Sequence, residues 1–334
     1  MRTLAKQRKE VRCRLNTENN TMLSYFFKRL TAALPLLFGI SFIAFGLMNL
    51  IPGDPAEVAL RVNDTPPTQE LIEETRIELG LDKPFLVRYF NWLERCLRLD
   101  FGVPFVHRDR TVLGEMQRCL PATVKLAMVT LLIIVAVSVP LGVGSALMKG
   151  RALDQVVRGL VFIGTAMPNY WVAYLLIWLF ALICGLLPVG GSGKPLHYIL
   201  PAATLSLTYI STYVRLIRNN MLENLNEDYI FYARARGLPE RAVISRHALK
   251  NSIHSSMTAI AMSIPQLIAG TVVVESIFSW PGLGRLCIEA IKSRDYPIIQ
   301  AYVLLMGVLF IGCNLIVDCL QAWLDPRLRQ KTEE

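Results

Sequence analysis

Leu126-Ala-Met-Val-Thr-Leu-Leu-Ile-Ile-Val-Ala-Val-Ser-Val-Pro-Leu-Gly-Val-Gly-Ser-Ala-Leu-Met148 runs without a charge between Lys125 and Lys149. A bilayer core needs about 20 apolar residues per helix, so this stretch reads as a membrane span. Five more charge-free stretches follow the same rule: Leu30 to Gly53, Leu160 to about Leu187, Tyr198 to Val214, about Ser255 to Val274, and Ala301 to Val317. Composition agrees. Hydrophobic residues make up 53% and charged residues 18%, against about 25% charged in a soluble domain. An ordinary soluble protein, a disordered chain and a disulfide-stapled secreted module are excluded. The expected fold class is an all-α integral membrane protein with six transmembrane helices.

Pro35, Pro140, Pro168, Pro201 and Pro265 fall inside these stretches. A proline in a soluble helix costs about 3 kcal/mol, but neighbouring membrane helices and hydroxyl groups re-satisfy the freed carbonyls. The net charge of +9 is a topology signal. Basic residues favour the cytoplasmic side of short loops. The N-terminal segment, the Lys149–Arg158 connection, the 215–252 loop and the tail carry 21 basic residues. The short loops of the opposite side carry Lys194, Arg285, Lys292 and Arg294. Both termini are therefore expected in the cytoplasm. The chain divides into a basic N-terminal extension (1–21), a first span (22–53), a loop subdomain outside the membrane (54–123), a five-helix core (124–324) and a short tail (325–334). Within the loop, Thr68 to Leu79 predicts a helix with an acidic face. Met22 is an alternative start, and Cys96 and Cys119 are either a disulfide pair or two free thiols.

The chemistry that is missing is informative. Gly190-Gly191-Ser192-Gly193-Lys194-Pro195 lacks the hydroxyl and the glycine spacing of a phosphate-cradling loop. The four histidines show no metal-ligand spacing, and no serine–histidine arrangement points to an intramembrane enzyme. The span interiors are essentially uncharged, so no proton relay is evident. A transporter of this kind takes its energy from a partner; a secondary transporter working alone is the competing reading.

The 215–252 loop is the longest on the cytoplasmic side. Asn226 or Asp228 is placed to cap a helix, and Tyr229 to Arg236 forms two turns. Gly237 suits a left-handed position, Pro239 prevents continuation, and Glu240 to Asn251 restarts as a second helix. The result is a helix–glycine–helix corner, where small Ala233 and Ala235 permit close approach by another protein.

This loop resembles the signature loop of permease subunits of bacterial ABC importers, the dipeptide/oligopeptide/nickel branch above all. The resemblance rests on Asp228-Tyr229, Ala233-Arg-Ala-Arg-Gly237 and Arg246-His-Ala-Leu-Lys-Asn251. Supporting strings are Met22 to Leu30, Pro52-Gly-Asp-Pro55, Leu79 to Pro84, Asp100-Phe-Gly102, Leu120-Pro-Ala-Thr123, Trp280-Pro-Gly-Leu-Gly-Arg285, Arg294 to Gln300 and Asp325 to Arg329. Departures are Phe231-Tyr232 before Ala233, Ser255 where the branch places proline, and Val103-Pro104 after Asp100-Phe-Gly102. The resemblance implies a type I importer permease fold in the bacterial inner membrane and no enzymatic activity or cofactor in this chain. Two ATPase subunits would use ATP. The other partners would be a second, homologous permease subunit and a periplasmic binding protein. It implies an ATPase-coupling loop carried by Asp228, Tyr229, Ala233, Arg234, Ala235, Gly237 and Leu238. Trp280 to Arg285 would meet the binding protein, or Trp280 would anchor at the bilayer interface. Arg61 to Glu70 and Ala166-Met-Pro-Asn169 look more like nickel-uptake members than dipeptide members. The expected substrate is nickel or a metal chelate, with di- or oligopeptides as the alternative.

Overall fold

A proline stands at each of the two places where a span bends. The computed structural model describes residues 29–50, 53–62 and 65–324, and among these every regular element is helical. The expectations for residues 1–21, for Met22 as the start and for the 325–334 tail lie outside the described residues. In chain order the helices are α1 (Arg29–Leu50), α2 (Pro55–Val62), α3 (Gln69–Glu78), α4 (Phe85–Leu97), α5 (Val112–Leu147), α6 (Ala152–Ala166) and α7 (Asn169–Leu176). Then come α8 (Leu196–Leu225), α9 (Asp228–Ala235), α10 (Glu240–Ala242), α11 (Leu249–Met262), α12 (Ile264–Ile277), α13 (Leu283–Ser293) and α14 (Tyr296–Leu324). π-helical segments continue α7 over Ile177–Ile183 and join α10 to α11 over Val243–Ala248.

α1, α5 and α14 are each long and apolar enough to cross a membrane. Two further candidates are bent. The expected third span is not one straight helix: α6 and the α7 segment meet at 108°. The cause is Pro168, which disfavours helical geometry at Met167; Met167 has ψ of 128° and Pro168 has ψ of 141°. The expected fifth span bends by 51° between Met262 and Ile264, with Pro265 in the first turn of α12. Among the described residues, length and apolarity thus give three candidate spans, or five if each bent pair is one span. α8, which contains the expected fourth, is a continuous helix of 30 residues around Pro201. α5 starts well before its apolar stretch and at 36 residues is about 54 Å long, longer than a bilayer core of about 30 Å.

By packing, the described residues form two units: 29–50, 53–61, 65–100 and 300–324 make one, and 62 with 101–299 the other. The expected loop subdomain 54–123 is therefore divided at about residue 100. In the first unit α1 and α4 share an aromatic cluster in which Phe38, Phe42 and Phe45 surround the fully buried Tyr89, whose hydroxyl lies 2.8 Å from Ser41 Oγ. Thr68 caps α3, confirming the helix expected there. Asp54 accepts from the Ala56 amide and pairs with Arg76 at 2.7 Å. Cys96 and Cys119 are free thiols.

In the second unit α8 is the central post. α5, α6, α7, α11 and α12 all pack on it. Near one end of this post, Leu126, Ala173, Leu200, Leu205, Val274 and Trp280 build an apolar core. Near the other, Ala146, Met221, Ile230, Ala233, Val243 and Ala248 build a second.

Candidate functional site

The corner expected between α8 and α11 is present, and its backbone explains it. α9 ends in a Schellman arrangement. The Gly237 amide donates to the Arg234 carbonyl at 2.9 Å and the Leu238 amide to the Ala233 carbonyl at 3.3 Å. Gly237 has φ of +76°, and nothing lies within 4 Å of where its Cβ would point. Glycine is needed there for the left-handed backbone and not for crowding. Pro239 then stands before α10 with extended geometry. The cap of α9 is Glu227, in place of the expected Asn226 or Asp228; Asn226 closes α8.

The inner face of the corner is anchored. Ile230 and Ala233 are buried against Met221, Val243 and Ala248. The Tyr229 hydroxyl donates to Asn224 Oδ1 at 2.6 Å. Across the bend, Arg234 donates to both carboxylate oxygens of Glu240, at 2.7 and 3.2 Å. This pair holds the Glu240 carboxyl below its ordinary range, through the Arg234 hydrogen bond first. The outer face carries an edge-on aromatic pair, Phe231 and Tyr232, each about two-thirds exposed.

Among the residues read from sequence, Asp228, Arg234, Ala235, Gly237 and Leu238 are exposed, Tyr229 is half-buried and Ala233 is buried. The small side chain at Ala233 thus lets α9 approach its own anchor, whereas Ala235 lies on the outer surface. Phe231 and Tyr232 first appeared only as departures from a pattern. Their exposure makes them the principal apolar surface of the corner.

Four carboxylates, Glu115, Asp154, Glu275 and Asp295, are buried among the described residues; none was singled out as a site from sequence, and two of them tie the spans together. Asp154, in the first turn of α6, takes Arg218 of α8 in a bidentate pair at 2.7 and 2.9 Å. It also accepts from Ser145 Oγ at 2.6 Å and the Gly150 amide at 3.0 Å. The ends of α5 and α6 are thereby tied to α8 next to the corner. Glu275, at the end of α12, is fully buried. It accepts from Thr123 Oγ1 at 2.7 Å and from the amides of Gly284 and Arg285 at 2.7 and 3.2 Å. The start of α13 thus holds an internal carboxylate, where helix amides favour negative charge.

Trp280 belongs to this arrangement. It is 1% exposed, packs edge-on against Tyr198 and donates from Nε1 to the Ala122 carbonyl at 3.0 Å. It neither anchors at a bilayer interface nor presents itself to a binding protein; within Trp280 to Arg285, Pro281 is the exposed residue. A Cβ at Gly284 would strike the Val272 backbone and the Glu275 carboxylate. Gly284→Ala is therefore expected to destabilise the protein by about 1–3 kcal/mol through overpacking. A thermal melt in detergent that matches the parent protein would refute this.

Comparison with known proteins identifies the frame in which these parts act. Residues 138–330 match the family described as binding-protein-dependent transport system inner membrane component, and residues 22–127 match its N-terminal family. The chain belongs to this family. It is a permease component of ABC importers and not an enzyme. Among its relatives, the metal-staphylopine import system permease protein CntB of Staphylococcus aureus strain Mu50 is 38% identical over 313 residues, covering 92% of this chain and 99% of that protein. The oligopeptide transport system permease protein AppB of Bacillus subtilis strain 168 is 36% identical, with 92% and 99% covered. The glutathione transport system permease protein GsiC of Salmonella choleraesuis strain SC-B67 is 35% identical, with 93% and 100% covered. A solved amino acid ABC transporter chain shares the fold with a TM-score of 0.50 at 15% identity, over 62% of this permease and 93% of that chain.

Proposed function

We propose that this permease passes a metal chelate, nickel held by a small chelator, from a periplasmic binding protein across the inner membrane. It would pair with a second, homologous permease subunit and be driven by two ATPase subunits. Both termini and the α9–α10 corner would face the cytoplasm, a reading supported by the 21 basic residues of those segments against 4 in the opposite short loops. The observation that carries the substrate reading is the 38% identity, over nearly the whole length, to a protein named for metal-staphylopine import. The nickel-like strings Arg61 to Glu70 and Ala166 to Asn169 point the same way. A peptide substrate is the second reading, favoured by the relatives named for oligopeptide and glutathione transport.

The corner is suited to receive an ATPase. Its inner face is anchored to α8 and to the Val243–Ala248 segment that leads into α11, so force applied to its outer face passes into the spans. Its outer face offers two aromatic rings, the residue class enriched at protein interfaces.

Uptake in cells lacking this chain tests the substrate. Radioactive nickel, with and without a chelator, is compared with a labelled dipeptide. Loss of chelated nickel accumulation with normal dipeptide uptake is the expected result. Loss of dipeptide uptake alone would replace the proposal with the peptide reading.

A further inference from the structure

An open cleft of about 730 Å³ lies wholly within the first unit. It is lined by the C-terminal end of α1, by α3, by the turn after α3 and by Arg88 of α4. α1 has 22 residues and is about 33 Å long, close to the hydrocarbon thickness of a bilayer. Its last turn, which supplies Asn49 to the cleft, therefore stands at the lipid–water boundary. Arg88 reaches the cleft with its guanidinium 6.0 Å from the centre of the Phe45 ring, one turn before Asn49. Asp54 follows the end of α1, and its pair with Arg76 pins α3 there. The Leu81 amide donates to the Arg76 carbonyl at 2.8 Å, which holds the turn carrying Asp82 against the end of α3.

The charges of this cleft do not settle among themselves. Arg76 is matched by Asp54 at 2.7 Å and by Glu73 at 3.5 Å. Arg88 and Asp82 remain. Both line the cleft, yet among the described residues neither has an ion pair or a hydrogen bond, with the other or with any third group. Arg88 is half-buried and Asp82 exposed. A half-buried guanidinium without an anion is costly, and its planar fork matches a phosphate with two hydrogen bonds. A phosphate alone would also meet the like charge of Asp54, Glu73 and Asp82. A ligand that carries a cation next to its phosphate satisfies both ends of the cleft. The order of the charges is defined as well. The free guanidinium lies against the span, and the free carboxylate lies on the segment beyond it. A zwitterionic phospholipid has the matching order, with its phosphate next to the acyl chains and its ammonium farther out.

We propose that this cleft binds the headgroup of a zwitterionic phospholipid, with the phosphate on Arg88 and a primary ammonium on Asp82. The bound lipid fixes the end of α1 and the α3–α4 segment at the membrane surface. The site is independent of which substrate the permease carries. A soluble zwitterion such as a dipeptide has the same two charges but no acyl chains, and the position of Arg88 over a residue of the span favours the lipid.

The test uses the assembled importer, with its second permease and ATPases, delipidated in detergent. It is titrated with phosphatidylethanolamine or phosphatidylglycerol, and native mass spectrometry reads the tightest-bound lipid. The parent should bind phosphatidylethanolamine more tightly than phosphatidylglycerol, which has the phosphate but no ammonium. Arg88→Gln should weaken phosphatidylethanolamine binding by about ten-fold, the loss of a charge-assisted contact. Asp82→Asn, at an exposed position, should keep the phosphate contact and lose the preference for phosphatidylethanolamine. Equal binding of the two lipids by the parent would overturn the proposal. Arg88→Gln that sheds the second permease while binding phosphatidylethanolamine as the parent does would place Arg88 in a subunit interface and also overturn it. If Arg88→Gln does not assemble, Asp82→Asn decides alone, and an unchanged lipid preference there overturns the proposal. A labelled dipeptide is the third probe. Dipeptide binding that Asp82→Asn abolishes, with no lipid preference in the parent, would make the cleft a solute site in place of a lipid site.

Discussion

Gly237→Asp is expected to leave the permease in the membrane at near-normal amounts and to abolish uptake. The φ of +76° disfavours any side chain, but Asp and Asn are among the residues that visit this region at modest cost. The space around the missing Cβ is open, so the added carboxylate projects outward without displacing a neighbour. The inner anchor of Ile230, Ala233 and the Arg234–Glu240 pair stays intact. What changes is the outer surface beside Phe231 and Tyr232, where a charge would have to be desolvated under a docked ATPase. Gly237→Ala supplies the control, since it carries the backbone strain of about 1 kcal/mol without the charge. Uptake should survive in Gly237→Ala and fall to background in Gly237→Asp. Normal uptake by Gly237→Asp, with the protein present in membranes, would remove the corner from the coupling path.

Asp154→Ala is expected to produce the largest loss of stability. Asp154 is 1% and Arg218 16% exposed. Removing the carboxylate leaves a buried guanidinium without its anion, and the Ser145 hydroxyl and Gly150 amide lose their acceptor. Breaking a buried pair by deleting one partner costs about 3–5 kcal/mol. The melting temperature of the purified permease in detergent should fall by on the order of 10 °C. Replacing both partners with apolar residues, as in Asp154→Leu with Arg218→Met, should recover much of this loss, because neither charge is then stranded. Asp154→Ala melting within about 1 °C of the parent would show that the pair does not hold α6 to α8.

Periodicity and spacing made much of the corner legible. Gly237 and Pro239 dictate the stop and the restart through backbone geometry alone, and that geometry is local. The charge-free stretches were legible for the same reason, since each is a property of 20 neighbouring residues. The bends at Met167–Pro168 and Ser263 were only partly legible. Proline is present in five of the stretches, but α5 and α8 run straight through Pro140 and Pro201, while Pro168 divides its span. Which proline breaks a helix depends on whether neighbouring helices re-satisfy the freed carbonyl, and that is a tertiary matter.

Roles that depend on distant contacts were not legible. Trp280 in Trp-Pro-Gly-Leu-Gly-Arg reads as a surface residue near a membrane boundary, yet its indole bonds to Ala122, 158 positions away. Glu275 sits next to an apolar run and reads as a span terminus, yet it receives Thr123, Gly284 and Arg285. Asp154 reads as an acidic first-turn residue of a helix, and its partner Arg218 is 64 positions on.

The sequence by itself determined that this chain lies in a membrane, that it lacks a phosphate-cradling loop, and that it turns a helix–glycine–helix corner. These follow from local apolarity, local motif chemistry and one left-handed residue. The tertiary structure alone decided which face of that corner is free, which small residue serves packing, and which carboxylates are buried and satisfied. A side chain's burial and partners are set by what folds onto it from far along the chain, and no local pattern encodes that.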